Sequence, residues 1–305
     1  MTVEILTGEQ IAALNTTMRA RFNRGLVSRK EEWKRISGYL SSRNASNTYV
    51  WMSDFPAFKE WVGQRTHKVA NTTAYTVANR KFENTLDIPR ESIEDDNYGM
   101  YGDVAESYGV SVIDLKDDLV FSLVSGGFDS VCYDGQYFLD TDHPVYPNED
   151  GSGTAGTVSN LQAGTGEPWV LLCTKRAPKP FYLQERVQPQ FNSLVNPNTS
   201  DKVFDFDVFS FGGRWRGEAL YGFWQLAFGS KADLNKENFE ANYKAMMKFV
   251  GDGNRKLGIV PDLLVCGPDN MSAAEDLLKA KQNAAGASNT NYNKVELFVT
   301  PWVSA

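Results

Sequence analysis

The chain has 305 residues, 42% of them hydrophobic and 12% aromatic, enough to bury about three quarters of the surface an unfolded chain exposes, so a globular protein of two domains plus extensions is expected. Its 31 basic residues against 38 acidic ones give a net charge of -7 and a pI near 5.1, which speaks against a nucleic-acid reader that grips phosphates. Cys132, Cys173 and Cys266 are far apart and form no C-x-x-C pair, so neither a disulfide framework nor a zinc cage is indicated. No apolar run approaches the ~18 residues of a membrane span, and Met1 to Ile5 lacks the basic and apolar regions of a signal peptide, so a reducing cytoplasm and no membrane are expected.

In chain order, Thr7 and Gln10 form a capping box ahead of Ile11, Leu14, Met18 and Phe22, spaced three or four apart, with Gly25 as the stop. The apolar stripe is narrow, which fits either an arm whose partner lies elsewhere or a core helix of the same chain. Trp51, Phe55, Phe58 and Trp61, broken by Pro56, read as an anchoring cluster. From Thr72 to Ile88 apolar residues alternate in two phases, Tyr75 and Val77 before Asn79-Arg80, and Phe82, Leu86 and Ile88 after it. That pattern predicts a two-stranded ribbon turning near Asn79. Arg65, Lys68, Arg80, Lys81, Glu83, Asp87 and Arg90 make it too charged to be buried on both faces, and two isolated strands are marginal in water, so it is expected to order against a neighbour.

A stripe of Tyr101, Val104, Tyr108, Val112, Leu115, Leu119 and Leu123 predicts one helix from about Glu91 to Val124, roughly 50 Å long at ~1.5 Å per residue. Ser92 is its expected cap, and Glu94, Asp95 and Asp96 suit a first turn. Gly102 and Gly109 each cost about 1 kcal/mol against alanine and allow a bend. The rod ends at Gly126-Gly127. Val131 to Phe138 follows with a turn at Asp134-Gly135, then Gly151 to Gly166 reads as a mobile loop or insertion. Trp169 to Cys173 and the alternating Val203 to Phe209 predict strands of a half-buried sheet. Leu234 to Val250 and Ser272 to Lys281 predict helices flanking a strand at Leu263 to Cys266, and Val295 to Val299 closes a small α/β domain.

Two strings invite chemistry. Gly151-Ser152-Gly153-Thr154-Ala155-Gly156 fits G-x-G-x-x-G, but that motif binds a dinucleotide only between a strand and a helix N-terminus, and neither flank predicts one. Asp140-Thr141-Asp142-His143-Pro144 offers two carboxylates and one of two histidines to a metal or acid-base role; His67, the other, lies far away in sequence, and a turn with satisfied local hydrogen bonds is the competing reading. No catalytic, cofactor-binding or metal residue is assigned.

Taken together, Tyr49-Val50-Trp51, Glu60-Trp61-Val62-Gly63, Asn79-Arg80-Lys81-Phe82-Glu83, Ile93-Glu94-Asp95-Asp96, Cys132-Tyr133-Asp134-Gly135-Gln136, Asp140-Thr141-Asp142-His143-Pro144, Lys179-Pro180, Gln184-Glu185-Arg186, Gly222-Phe223-Trp224-Gln225 and Val295-Glu296-Leu297 ahead of Thr300-Pro301-Trp302 closely resemble the major head subunit of Mu-like phages and prophages. The resemblance implies an α+β chain with the Hong Kong 97-like phage capsid fold. It places an N-terminal arm at residues 1–48, an aromatic anchoring segment at 49–63 and an extended β-hairpin loop at 64–90. A peripheral domain at 91–230 would hold the spine helix, 91–126, and the glycine-rich loop, 151–166, with an axial α/β domain at 231–305. One departure is that the strand-rich segment from Trp169 precedes the axial domain.

The implied function is that of a structural major capsid protein, not an enzyme, needing no cofactor and assembling into hexamers and pentamers of an icosahedral head around double-stranded DNA. Implied partners are the chain itself and the phage's scaffold/protease, portal and decoration proteins, with assembly in the bacterial host cytoplasm and residence in the virion. Arg65, Lys68, Arg80, Lys81, Glu83, Asp87, Arg90, Ile11, Leu14, Met18 and Phe22 are the expected inter-subunit contacts. A tail-tube or decoration protein and a metal-dependent hydrolase using Asp140, Asp142 and His143 are the alternatives.

Overall fold

The computed structural model describes residues 7–50, 74–95, 99–196, 198, 200–282 and 286–303. Helix α1, Gly8–Gly25, begins at the predicted capping box: the Gln10 amide donates to Thr7 Oγ1 at 3.3 Å and the Thr7 amide to Gln10 Oε1 at 2.8 Å. Its stripe is buried within the chain. Met18 and Phe22 are each 1% exposed, in a cluster with Ile88, Ala105, Phe191, Phe209 and Phe211, and Ile11 and Leu14 pack at its margin. The core-helix reading therefore holds, and residues 8–25 are not a detached arm.

Strand β1, Ser37–Ser41, β2, Ser46–Val50, β3, Ala74–Ala78, and β4, Arg80–Pro89, follow. The predicted hairpin about Asn79 is not formed. β3 pairs antiparallel with β2, from Ser46 opposite Ala78 to Val50 opposite Ala74, whereas β4 turns away to run antiparallel to β10, Val208–Tyr221. The cause is the Asn79 side chain, which is buried where the strands diverge. Its Nδ2 donates to Ser42 Oγ at 2.8 Å and the Asn44 carbonyl at 2.9 Å, and its Oδ1 accepts from Gln184 Nε2 at 2.9 Å. An asparagine with both ends engaged fixes a junction rather than a free turn.

The predicted rod is divided. Helix α2, Arg90–Glu94, is separate from α3, Met100–Gly126, which starts after Gly99 in the left-handed region at φ 67°. The 27 residues of α3 span about 40 Å. Tyr101, Tyr108 and Val112 face the α1 cluster, while Leu115, Leu119 and Leu123 join the main core.

Two sheets flank this helix. The first has the order β1-β9-β10-β4, with β9, Phe181–Leu194, parallel to β1 and antiparallel to β10. Short helix α4, Asp201–Phe206, connects β9 to β10. Residues 203 to 206 were expected as strand, but Asp207 sits in the left-handed region at φ 52° and separates helix from strand. Only Val203 of that stretch is buried, and Phe204 and Phe206 are 76% and 73% exposed.

The second sheet has the order β15-β14-β8-β11-β7. Before it, β5, His143–Val145, pairs with β6, Gly156–Val158. The sheet itself joins β7, Leu161–Gln162, β8, Trp169–Leu172, and β11, Ala227–Ser230, to the tail elements. These are helix α5, Lys236–Met247, the small pair β12, Val250–Gly251, with β13, Arg255–Lys256, then β14, Leu263–Cys266, helix α6, Met271–Leu278, and β15, Glu296–Val299. Every residue of β8, β11 and β14 is buried, which explains the unbroken apolar runs of β8 and β14. This sheet corrects the boundary at 230/231, because its central strand, β8, comes from residues 169–172.

The glycine-rich stretch is built in. A Cβ on Gly164 would stand 2.1 Å from the Lys231 carbonyl oxygen, and the Gly166 amide donates to the same oxygen at 2.7 Å. Gly151 is not fed by a strand and Gly156 opens a strand, not a helix, so the dinucleotide reading fails on geometry.

Candidate functional site

The N-terminal segment is clasped to the spine helix by close backbone contact and charge. A Cβ on Gly25 would lie 2.1 Å from the Glu106 carbonyl oxygen, and one on Gly109 would lie 2.1 Å from that of Phe22. The glycine thought to permit a bend instead lets two helices touch. Beside the crossing Arg21 reaches Asp103 at 3.2 Å and Glu106 at 3.4 Å, Arg24 also pairs with Glu106, and Arg29 bridges Asp114 and, at 3.1 Å, buried Asp117. The hydrogen bond from Arg24 holds the Glu106 carboxyl below its usual value. Further along, Glu185 gathers four elements: Oε1 accepts from Trp215 Nε1 at 2.6 Å and faces Lys116 Nζ at 3.0 Å, while Oε2 accepts from the Tyr39 hydroxyl at 2.9 Å. Burial, with Glu185 beside it, pushes Tyr39 up to about 12.

Of the charges expected to meet neighbours, several are engaged within the chain. Arg80 forms a forked pair with Glu218, Asp87 takes Lys202 Nζ at 2.6 Å and Ser210 Oγ at 2.6 Å, and Arg90 faces Asp207 at 3.3 Å. Lys81 and Glu83 lie exposed on β4, Glu83 accepting from Thr85 Oγ1 at 2.8 Å. Arg65, Lys68, His67 and the aromatic residues Trp51, Phe55, Phe58 and Trp61 lie outside the described residues.

Other features are candidates for contacts between copies. β4 is the outer strand of its sheet among the described residues, with Lys81, Glu83, Thr85 and Asp87 on its polar face, the charged edge that discourages indiscriminate strand addition. Phe204, Phe206 and the 54% exposed Leu194 sit around the β9–β10 connection. Sequence reasoning missed this patch because alternation hid the helix in residues 203–206; Asp201 and Asp207 on either side were the available signal.

The Asp140 to His143 string does not converge. Asp140 accepts from the Tyr137 and Thr141 amides at 3.1 and 2.7 Å, the satisfied turn, and Asp142 is exposed. His143 is fully buried and turns to Asp134 instead, Nδ1 to Oδ2 at 2.7 Å, with Nε2 3.2 Å from Asn160 Oδ1 and its ring stacked on Trp224 at 4.0 Å. Burial raises the Asp134 carboxyl, but the hydrogen bond and charge of His143 outweigh it and hold it below its ordinary value. Thus the hydrolase trio Asp140, Asp142 and His143 is not assembled. Among the described residues no helix is long and apolar enough to cross a membrane.

Comparison with known proteins accords with this arrangement. The model of the Mu-like prophage major head subunit gpT family matches residues 11–303. The major capsid protein of Escherichia phage Mu is 39% identical over 305 residues, covering 98% of this chain and 100% of the relative. The procapsid of bacteriophage JBD30 contains a chain that superposes with a TM-score of 0.87 at 41% identity, covering 97% of this chain and all of that one. The JBD30 capsid decorated with minor capsid protein trimers gives a TM-score of 0.75 at 29% identity over 91% of this chain and 92% of that one. A clasped spine helix between two sheets, matched along nearly its whole length to head subunits in sequence and structure, places this chain in the Mu-like gpT major head subunit family, as a structural component of a phage head.

Proposed function

We propose that copies of this chain associate as hexamers and pentamers that tile an icosahedral shell around double-stranded DNA, assembling in the bacterial cytoplasm. The observation that carries this reading is the TM-score of 0.87 to the JBD30 procapsid chain over 97% of the sequence. Within the expected extended loop, 64–90, β3 pairs with β2 and β4 with β10, and residues 64–73 lie outside the described residues. The exposed Phe204 and Phe206 and the outer edge of β4 meet sister copies. Each exposed ion pair across such contacts adds only ~0 to 1 kcal/mol, and closure comes from engaging many at once. Weak individual contacts let a misplaced subunit leave.

The fit is better to the procapsid chain than to the decorated-capsid chain, 0.87 against 0.75, which supports a subunit that changes shape as the shell matures. The division between α2 and α3 at Gly99 is a suitable hinge. The net charge of -7 suits a container whose inner wall does not clamp DNA. Scaffold, protease and portal proteins complete the partner set, and a trimeric minor protein of the kind on the JBD30 capsid is a further one. Micrographs of particles purified from cells producing the chain with its phage's head proteins test this: closed shells support it, tubes or lone subunits do not.

A further inference from the structure

Among the described residues Cys132 Sγ, a carboxylate oxygen of Asp134 and a ring nitrogen of His143 come within 4.8 Å of one another, with Cys132 and His143 buried and Asp134 half-buried. Cys132 Sγ is 3.0 Å from Asp134 Oδ1, and Asp134 Oδ2 is 2.7 Å from His143 Nδ1. We propose that these three residues form a structural zinc site, with Cys132 Sγ, Asp134 Oδ and His143 Nδ1 as its protein ligands.

Around tetrahedral zinc with bonds of ~2.0–2.3 Å, ligand atoms stand roughly 3.3–3.8 Å apart. Accepting the ion therefore requires the Cys132–Asp134 and Asp134–His143 pairs to open by roughly 0.3–1.1 Å and Cys132 Sγ and His143 Nδ1, within 4.8 Å of each other, to settle at a like separation, a side-chain adjustment. A thiolate, an imidazole and one carboxylate form a donor set that suits zinc, whereas magnesium and calcium call for oxygen ligands. The support around the site is also of the right kind. Asn160 donates to the Phe138 and Trp224 carbonyls at 2.9 and 3.3 Å, and this fixes its Oδ1 as the acceptor facing Nε2 of His143. An acceptor there holds the proton on Nε2 and leaves Nδ1 for a metal, the usual outer support of a ligating histidine. Trp224, stacked at 8° to the ring, restricts its rotation.

The exchange conserves charge. The Cys132 Sγ proton and the proton that His143 Nδ1 and Asp134 Oδ2 share at 2.7 Å leave to solvent as zinc binds, and the bound cluster of one dication, thiolate, carboxylate and neutral imidazole is neutral. The fourth position falls to water or to the Tyr137 carbonyl, which lies 4.0 Å from Cys132 Sγ. A bound ion would tie the 132–137 turn to β5 beneath Trp224.

The test loads full-length protein with Zn2+, removes loose ion by gel filtration and counts metal by mass spectrometry, then repeats the loading with Co2+. The expected result is about one zinc per chain and a thiolate-to-cobalt charge-transfer band. Cys132→Ser should abolish the band, and His143→Gln should weaken zinc binding at least ~10-fold, with circular dichroism confirming a native fold. Wild-type protein retaining well under one zinc per chain, or giving a cobalt spectrum without the thiolate band, overturns the site whatever the variants do. Shell formation is not read out, so the result is independent of the capsid reading.

Discussion

Gly25 of α1 and Gly109 of α3 meet backbone to backbone: a Cβ on Gly109 would stand 2.8 Å from the Gly25 Cα and 2.1 Å from the Phe22 carbonyl oxygen. A third glycine supplies the control, since a Cβ on Gly102 would have only the Arg21 side chain nearby, at 3.5 Å. Alanine is the better helix former by about 1 kcal/mol, so Gly102→Ala is expected to hold or raise stability. Gly109→Ala is expected to lower it, because forcing the helices apart costs ~1–3 kcal/mol and also loosens Met18 and Phe22. Urea unfolding of the unassembled subunit distinguishes the two; equal effects would show that the close crossing is not required.

The same clasp is acid-sensitive. The Glu106 carboxyl lies below its usual value because Arg24 and Arg21 bind its charged form. A depressed folded pKa contributes stability that is present above the unfolded value, about 4.3, and is lost as pH falls through the folded value. Protease cleavage within α1 should therefore accelerate below about pH 4. In Glu106→Gln that dependence should flatten; an unchanged pH profile would assign the effect to other carboxylates.

At the junction of β3 and β4, Asn79→Ala removes donors to Ser42 and Asn44 and leaves Gln184 Nε2 without its Asn79 acceptor. Gln184 Nε2 keeps the Val77 carbonyl at 3.3 Å, so the expected loss is that of the hydrogen bonds themselves, about 0.5–1.5 kcal/mol each. Hydrogen exchange should speed at Val77 and Arg80 on either side of the junction. Uniform change across both sheets, or none, would contradict a local pivot.

Phe204 and Phe206 are exposed in the isolated subunit, so the double substitution Phe204→Ser, Phe206→Ser should shift unfolding by no more than ~0.5 kcal/mol while sharply reducing the yield of shells. Sedimentation of producing cells reads the second effect and thermal melting the first. Normal shell yield would remove this patch from the contacts between copies.

Much of the architecture could be read from local signals. The capping box at Thr7, the turn at Asp134-Gly135, helix α5 and the buried strands β8 and β14 each follow from a short-range pattern that tertiary packing did not oppose. What the sequence concealed was decided at long range. Alternation from Tyr75 to Ile88 is compatible with one hairpin or two strands in different sheets, and only the burial of Asn79 against Ser42 and Gln184 selects the second. Residues 203–206 alternate as a strand would, yet β10 can begin only after the chain reverses at Asp207. His143 looked like a partner of Asp140 and Asp142, its neighbours in sequence. The 131–137 turn instead brings Asp134 back to it, nine residues upstream.

The most direct test is electron cryomicroscopy of particles assembled from the full-length chain with the head proteins of its phage. Closed shells are expected, with five-fold and six-fold clusters of one subunit fold and the Phe204 and Phe206 patch of each copy set against a neighbour. Open tubes, or subunits that stay single at every concentration, would contradict it.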